Sequence, residues 1–291
     1  MVRPMFHRIR CFLSHCVFGC ALFALAAQAS RPYSTDVTRW VEVAVPPESD
    51  GLARELWDYA GNYSEDEWRV FARQGRPHAT LLYETPIPPE HPEFTPSVGE
   101  FKGALAFARV DDGWLVGFNK GESGAALYWF ALDGKRNYKI SDHQVIQFLR
   151  VWDGVYAVEG INHLGYNVGS LIRVTRPNRQ SRWRASMVIR LSGRPQTVVI
   201  TSGQTLIITM FDGVIEADRN LKVRALLKHA PWEGLYPTSS ILIDQRKLYV
   251  GMRQYVGELD LVTHKLRMLV PSRKFLNKLT KKREQEIRGQ H

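Results

Sequence analysis

The chain has 291 residues, 44% of them hydrophobic and 23% charged, and a formal net charge of +10. Mapping removes the usual implication of that charge: three positive charges fall within residues 1–29 and a net five from Arg273 onward, which leaves +2 on residues 30–272. A body this close to neutral offers no basic groove, so no nucleic-acid partner is expected.

Arg3, Arg8 and Arg10 precede the mostly apolar run Cys11–Ala26, and Ala27-Gln28-Ala29 follows as a small-x-small cleavage site. This layout predicts a signal peptide over 1–29, with Ser30 as the first mature residue and a periplasmic or extracellular location. The alternative is an uncleaved anchor, but a spanning helix needs about 20 apolar residues. Cys11, Cys16 and Cys20 all lie in this segment. The mature chain therefore has no disulfide, no thiolate metal site and no cysteine nucleophile. Val17-Phe18-Gly19-Cys20 has a faint likeness to a lipidation signal, but the apolar sequence runs on to Ala27.

Residues 37–101 are irregular. Val37–Val45 alternates, with Trp40 as an inward anchor; Gly51–Tyr59 carries Leu52, Leu56 and Tyr59 at helical spacing; Trp68–Ala72 and Ala79–Tyr83 read as strands. Thr85–Ser97 holds Pro86, Pro88, Pro89, Pro92 and Pro96, which predicts an extended excursion over the surface.

From Gly103 to Ser272 one pattern recurs four times: an apolar run, a polar turn, a second apolar run, then one or two more. The turns centre on Asp112, Asp153, Gly203 and Gln245. A period of roughly 40–50 residues with about four strands per unit predicts an all-β fold, a β-propeller. Residues 30–272 then form one propeller domain with an irregular N-terminal blade. The count is five blades, or six if the N-terminal part contributes more strands. An open or two-layer antiparallel assembly is the competing arrangement. Residues 273–291 form a basic tail, read either as a solvated terminus or as a weak contact with an anionic membrane surface.

Tyr236–Gly251, with Tyr236-Pro237-Thr238, an apolar run, the Asp244–Lys247 turn and Leu248-Tyr249-Val250-Gly251, resembles a blade opening of the regucalcin/gluconolactonase and NHL-like propellers. Pro195–Thr209 is a weaker copy. The resemblance implies a propeller over roughly residues 103–272. In the lactonases of that group an asparagine and a terminal aspartate of this pattern help hold a divalent metal; here those places are Thr238 and Met252, or Gln196 and Met210. A hard cation needs oxygen ligands, so no metal and no cofactor is expected.

The candidate ligand-binding set follows from propeller topology, in which loops joining strands 2 to 3 and strand 4 to the next blade share a face. It comprises Asn162, His163, Tyr166, Trp232, Glu233, Tyr236 and Arg253. Trp232, Glu233 and Tyr236 lie in a stiff loop between Pro231 and Pro237, suited to flat polar ligands. If Trp232 is instead packing, its removal costs stability rather than binding. His163 with Glu159 forms a candidate acid/base pair, and Arg253 a candidate anion clamp. No nucleophile elbow, Walker loop or dinucleotide fingerprint occurs. The expected function is an exported, non-catalytic propeller that binds a small polar ligand or an envelope protein. A lactonase-like or other hydrolase and an envelope assembly protein are the alternatives.

Overall fold

The structure, a computed structural model, describes residues 33–47, 49–84, 90–99 and 104–274. The expected signal peptide and most of the basic tail lie outside the described residues.

After a short 3-10 turn at Val37–Arg39 come β1 (Val41–Val43), the helix α1 (Gly51–Tyr63), β2 (Trp68–Arg73) and β3 (Arg76–Leu81). Four antiparallel sheets follow. The first is β4 (Ala104–Val110), β5 (Gly113–Asn119), β6 (Ala125–Ala131) and β7 (Asn137–Ser141). The second is β8 (Val145–Val151), β9 (Gly154–His163), β10 (Tyr166–Thr175) and β11 (Arg184–Leu191). The third is β12 (Pro195–Ile200), β13 (Leu206–Met210), β14 (Gly213–Ala217) and β15 (Val223–Lys228). The fourth is β16 (Ser239–Ile243), β17 (Lys247–Gly251), β18 (Val256–Asp260) and β19 (Leu266–Val270). Within each sheet the strands are ordered as in the chain. Ala72 of β2 lines the same central cavity as residues of β4, β8, β12 and β16, so the first strand of every sheet faces one axis. The fold is a β-propeller, with four full blades and a two-stranded fifth among the described residues.

Local chemistry sets the hairpins. Gln74-Gly75, Trp152-Asp153, Leu164-Gly165 and Asp244-Gln245 each place two successive residues at positive φ, the geometry whose twist matches the flanking strands. The blades then stack through apolar faces. Leu115, Leu127 and Trp129 of the first blade meet Ala157, Ile172 and Val174 of the second. Leu171 and Ile189 of the second meet Leu206, Ile208 and Met210 of the third. Ile207 and Val214 of the third meet Leu248, Val250 and Leu259 of the fourth. Side chains near the axis tie neighbouring first strands together. The Gln147 amide pairs with both the N–H and the C=O of Val198, each at 3.0 Å. Thr197 Oγ1 donates to Ser240 Oγ at 2.7 Å, and Ser239 Oγ accepts the Val70 N–H at 3.0 Å.

The N-terminal region departs from the sequence reading in three ways. β1 does not join the fifth blade; it pairs with β19, Val41 opposite Val270, and adds a fifth strand to the fourth blade. An otherwise bare outer edge is thereby covered. The helix runs on to Tyr63, because Gly61 lets it approach Leu235 so closely that a Cβ there would meet Leu235 Cδ2 at 1.8 Å. The proline-rich segment is more than a surface excursion. Pro92 and Pro96 are buried, and Phe94 packs on Phe130 with ring centroids 5.7 Å apart. It covers the face of the first blade that no full blade adjoins, together with Val98.

Candidate functional site

The central cavity has a volume of about 600 Å³ and is lined by the C-terminal halves of the inner strands. Phe107, Phe148, Val199 and Ile241 are half-buried around it. Arg150 and Glu90, both exposed, supply its charged groups, and Gln245 and the engaged Gln147 its amides. The cavity therefore belongs to the side of the ring that carries the strand 1–2 turns. A second cavity of about 410 Å³ adjoins it, lined by Arg150–Val155 and Gln204, with Arg150 common to both.

The turns around this side are bound to one another. The Trp152 indole donates to the Gln204 carbonyl at 2.6 Å and packs edge-on against Tyr156. The Ser202 N–H donates to Gln245 Oε1 at 2.7 Å. Arg150 Nη2 donates to the Arg109 carbonyl. These contacts hold the rim in place before any ligand arrives, which lowers the ordering cost of binding. Among the described residues the central cavity offers apolar area, one guanidinium, one carboxylate and amides. Among the described residues there is no group of three or more His, Cys, Asp or Glu placed to hold a metal ion. Met252 and Met210, at the places where the lactonase resemblance has a metal-binding aspartate, are buried core residues.

None of the seven expected site residues lines either cavity. They form two groups. Asn162, His163 and Tyr166 sit on a hairpin, because β9 and β10 remain paired out to His163 opposite Tyr166 and project as a finger. His163 Nε2 pairs with Glu122 Oε2 of the first blade, not with Glu159. Glu159 is taken instead by Ser170 Oγ and, at 3.4 Å, by the Gln144 N–H, so the expected His163–Glu159 acid/base pair is not assembled. Leu164 and Tyr166 at the tip are 87% and 70% exposed.

The second group lies beside α1. Trp57 of the helix stacks on Tyr255 at 4.3 Å and donates to the Pro231 carbonyl at 3.2 Å. Trp232 is 0% exposed and donates its indole N–H to the Met210 carbonyl at 3.2 Å. It is core, and offers no surface to a ligand. The Arg253 guanidinium lies over the Tyr236 ring, 4.5 Å from its centroid, and Glu233 is exposed.

A charge network lies on the fourth blade, away from both cavities. Glu258, 7% exposed, accepts from Tyr249 Oη at 2.7 Å and pairs with Lys247 and Arg267. Burial works to raise the Glu258 carboxyl, but the Tyr249 hydrogen bond and the two cations outweigh it and leave it below the ordinary range. Burial, with Glu258 beside it, pushes the Tyr249 phenol up. A depressed carboxyl stabilises the fold above its unfolded pKa of about 4.3 and loses that contribution as pH falls through the folded value. Glu258→Gln should therefore cost about 1–2 kcal/mol at neutral pH and flatten the loss of stability below about pH 4. Urea unfolding at pH 7 and pH 3 checks this; an unchanged acid slope contradicts it.

No family model matches the sequence, and no curated protein matches it. Among solved structures the chain is similar to a catalytically inactive virginiamycin B lyase from Staphylococcus aureus with quinupristin, at 15% identity and a TM-score of 0.42, covering 60% of this chain and 57% of that one. A streptogramin B lyase aligns at 14% identity and 0.38, covering 57% and 54%. A GH43 endo-arabinanase from Bacillus licheniformis aligns at 13% and 0.35, covering 57% and 69%. The chain thus spans less than two thirds of the length of either lyase. Such likeness concerns fold and carries nothing about activity.

Proposed function

We propose that this chain is an exported, non-catalytic β-propeller that binds a small polar ligand in its central cavity, on the side of the strand 1–2 turns. One observation carries this reading: an axial cavity of about 600 Å³ in which Phe107, Phe148, Val199 and Ile241 keep apolar surface open beside Arg150 and Glu90. Half-buried aromatic and branched side chains with a few polar groups suit a ligand with one apolar face. Arg150 suits an acidic group on that ligand, because its planar fork matches carboxylate geometry. Among the described residues the lining of this cavity holds a single carboxylate, which supports binding over glycoside hydrolysis by a carboxylate pair.

Export rests on the n/h/c layout of residues 1–29 and on Ala27-Gln28-Ala29. Among the described residues no helix is long and apolar enough to cross a membrane.

The test uses protein secreted by a bacterial host. Its N-terminal sequence should start at Ser30; retention of Met1 overturns the export reading. A panel of small sugar acids and aromatic carboxylates is then titrated by calorimetry against wild type and Arg150→Met. A binder should weaken about tenfold in the variant, the size of one charge-assisted hydrogen bond. Conversion of a panel compound overturns the non-catalytic reading. Binding indifferent to Arg150 and to Phe148→Ala overturns the site. The complete absence of binders moves the function to the finger tip, where Leu164 and Tyr166 would meet an envelope protein.

A further inference from the structure

A second polar site lies on the opposite side of the ring, at the connection from the second blade to the third. β12 opens with a bulge: Pro195 pairs with Met210 and Thr197 with Thr209, and the extra residue Gln196 lies between. Its side-chain oxygen accepts from Arg194 Nη1 at 2.6 Å. The backbone around Arg194 is fixed from two directions. Its N–H donates to Asn167 Oδ1 of the finger at 2.6 Å, and its carbonyl accepts the Phe211 N–H at 2.9 Å. Glycines make the approach of the finger feasible. A Cβ on Gly169 would lie 2.4 Å from the Gly193 carbonyl, and one on Gly193 would lie 2.7 Å from Asn167 Nδ2.

Beyond these bonds, charge and a donor remain unmatched there. Among the described residues Arg194 makes no ion pair, although burial lowers its pKa and it remains a cation. Gln196 is 8% exposed, and its Nε2 is buried without a hydrogen-bond partner. Glu159, on the facing strand β9, is occupied by Ser170 and Gln144. A partly buried guanidinium with no counter-charge and an amide N–H with no acceptor are each costly to keep. One group satisfies both only if it is an acceptor and negatively charged. A water molecule would satisfy the amide alone. Arg194 retains partial exposure, so a small anion has a route to it.

We propose that Arg194 and Gln196 form an oxyanion site at the base of the finger, taking the carboxylate or phosphate group of a ligand. The site does not depend on the central cavity. The expected effect of occupancy is to pin the finger to the third blade, since Asn167 and Arg194 share one hydrogen bond.

The experiment follows thermal unfolding of the full mature chain in sodium acetate, sodium phosphate or sodium chloride at matched ionic strength. Acetate or phosphate should raise the midpoint saturably above the chloride control. A response to acetate alone assigns a carboxylate ligand, and one to phosphate alone a phosphorylated one. Arg194→Met should fold, by circular dichroism, and lose the response. Arg219→Met, at an exposed turn outside both cavities, should keep it, so a loss confined to Arg194→Met belongs to this site and not to the central cavity. If Arg194→Met does not fold, Gln196→Met replaces it and should shift half-saturation about tenfold higher. Equal midpoints in all three salts, or a response that survives in the folded variant, overturn the proposal.

Discussion

Trp232→Ala should lower the stability of the folded chain by about 3–5 kcal/mol and leave ligand binding at the axis unchanged. The indole is 0% exposed and sits in the core shared by the third and fourth blades, with Met252, Leu259 and Met268 around it. A Cβ on Gly257 would lie 3.5 Å from its ring, which places the indole against β18. Truncation opens a cavity and removes the donor from the Met210 carbonyl. α1 depends on the same loop through the Trp57 bond to Pro231, so the helix should loosen as well. Urea denaturation with far-UV detection measures the loss. A cost under about 1 kcal/mol would show that the loop is not part of the core.

Asp112→Ala should cost about 2 kcal/mol, less than breaking a fully buried charge pair, because the Asp112 side chain is 35% exposed and Asp111 stays beside Arg176. Asp112 is the hub between the first two blades. Its Oδ1 accepts from the Trp129 indole at 3.1 Å and the Trp183 indole at 3.2 Å, and its Oδ2 accepts from Arg176 at 2.6 Å. The Arg176 side chain is 8% exposed and lies over the Trp183 ring. Removing the carboxylate strips both indoles of their acceptor and leaves Arg176 with Asp111 and the Arg179 carbonyl. Asp112→Asn keeps an acceptor for the indoles and loses the charge, so it should cost about half as much. Equilibrium unfolding of the two variants orders them. A neutral Asp112→Ala contradicts the hub.

The blades were legible because each is local. An apolar run, a two-residue polar turn and a second apolar run code for a hairpin whatever surrounds it, and β8–β9 or β16–β17 fall where such runs lie. The finger was not legible, since Gly160-Ile161-Asn162-His163 has no alternation to mark a strand; its pairing is propagated from the hairpin below. Trp232 misleads for a related reason. An aromatic between two prolines looks the same whether it faces solvent or lies beneath a helix whose Trp57 is 174 residues before Pro231. The partner of β1 is likewise invisible, because pairing with β19 depends on how the ring closes. Which end of the axis holds the cavity depends on all five inner strands together, so no single loop reports it. Arg194 was not among the expected site residues, because nothing in the short stretch between β11 and β12 marks it.

The pairing of β1 with β19 also bears on the order in which the molecule assembles. Val41 and Val270 bracket a loop of roughly 230 residues. Closing such a loop in an otherwise unfolded chain costs about 5 kcal/mol of entropy, far more than three strand residues return. Once four blades stand in place the ends are already near each other, and the cost almost vanishes. β1 should therefore dock only after the blade that carries β19 has formed, although it is synthesised before every other described strand. Until it does, β19 shows a row of bare backbone donors and acceptors, through which two half-folded copies can pair edge to edge. Pulsed hydrogen exchange during refolding should find residues 41–43 protected after residues 256–260, and dilute refolding should give the higher yield.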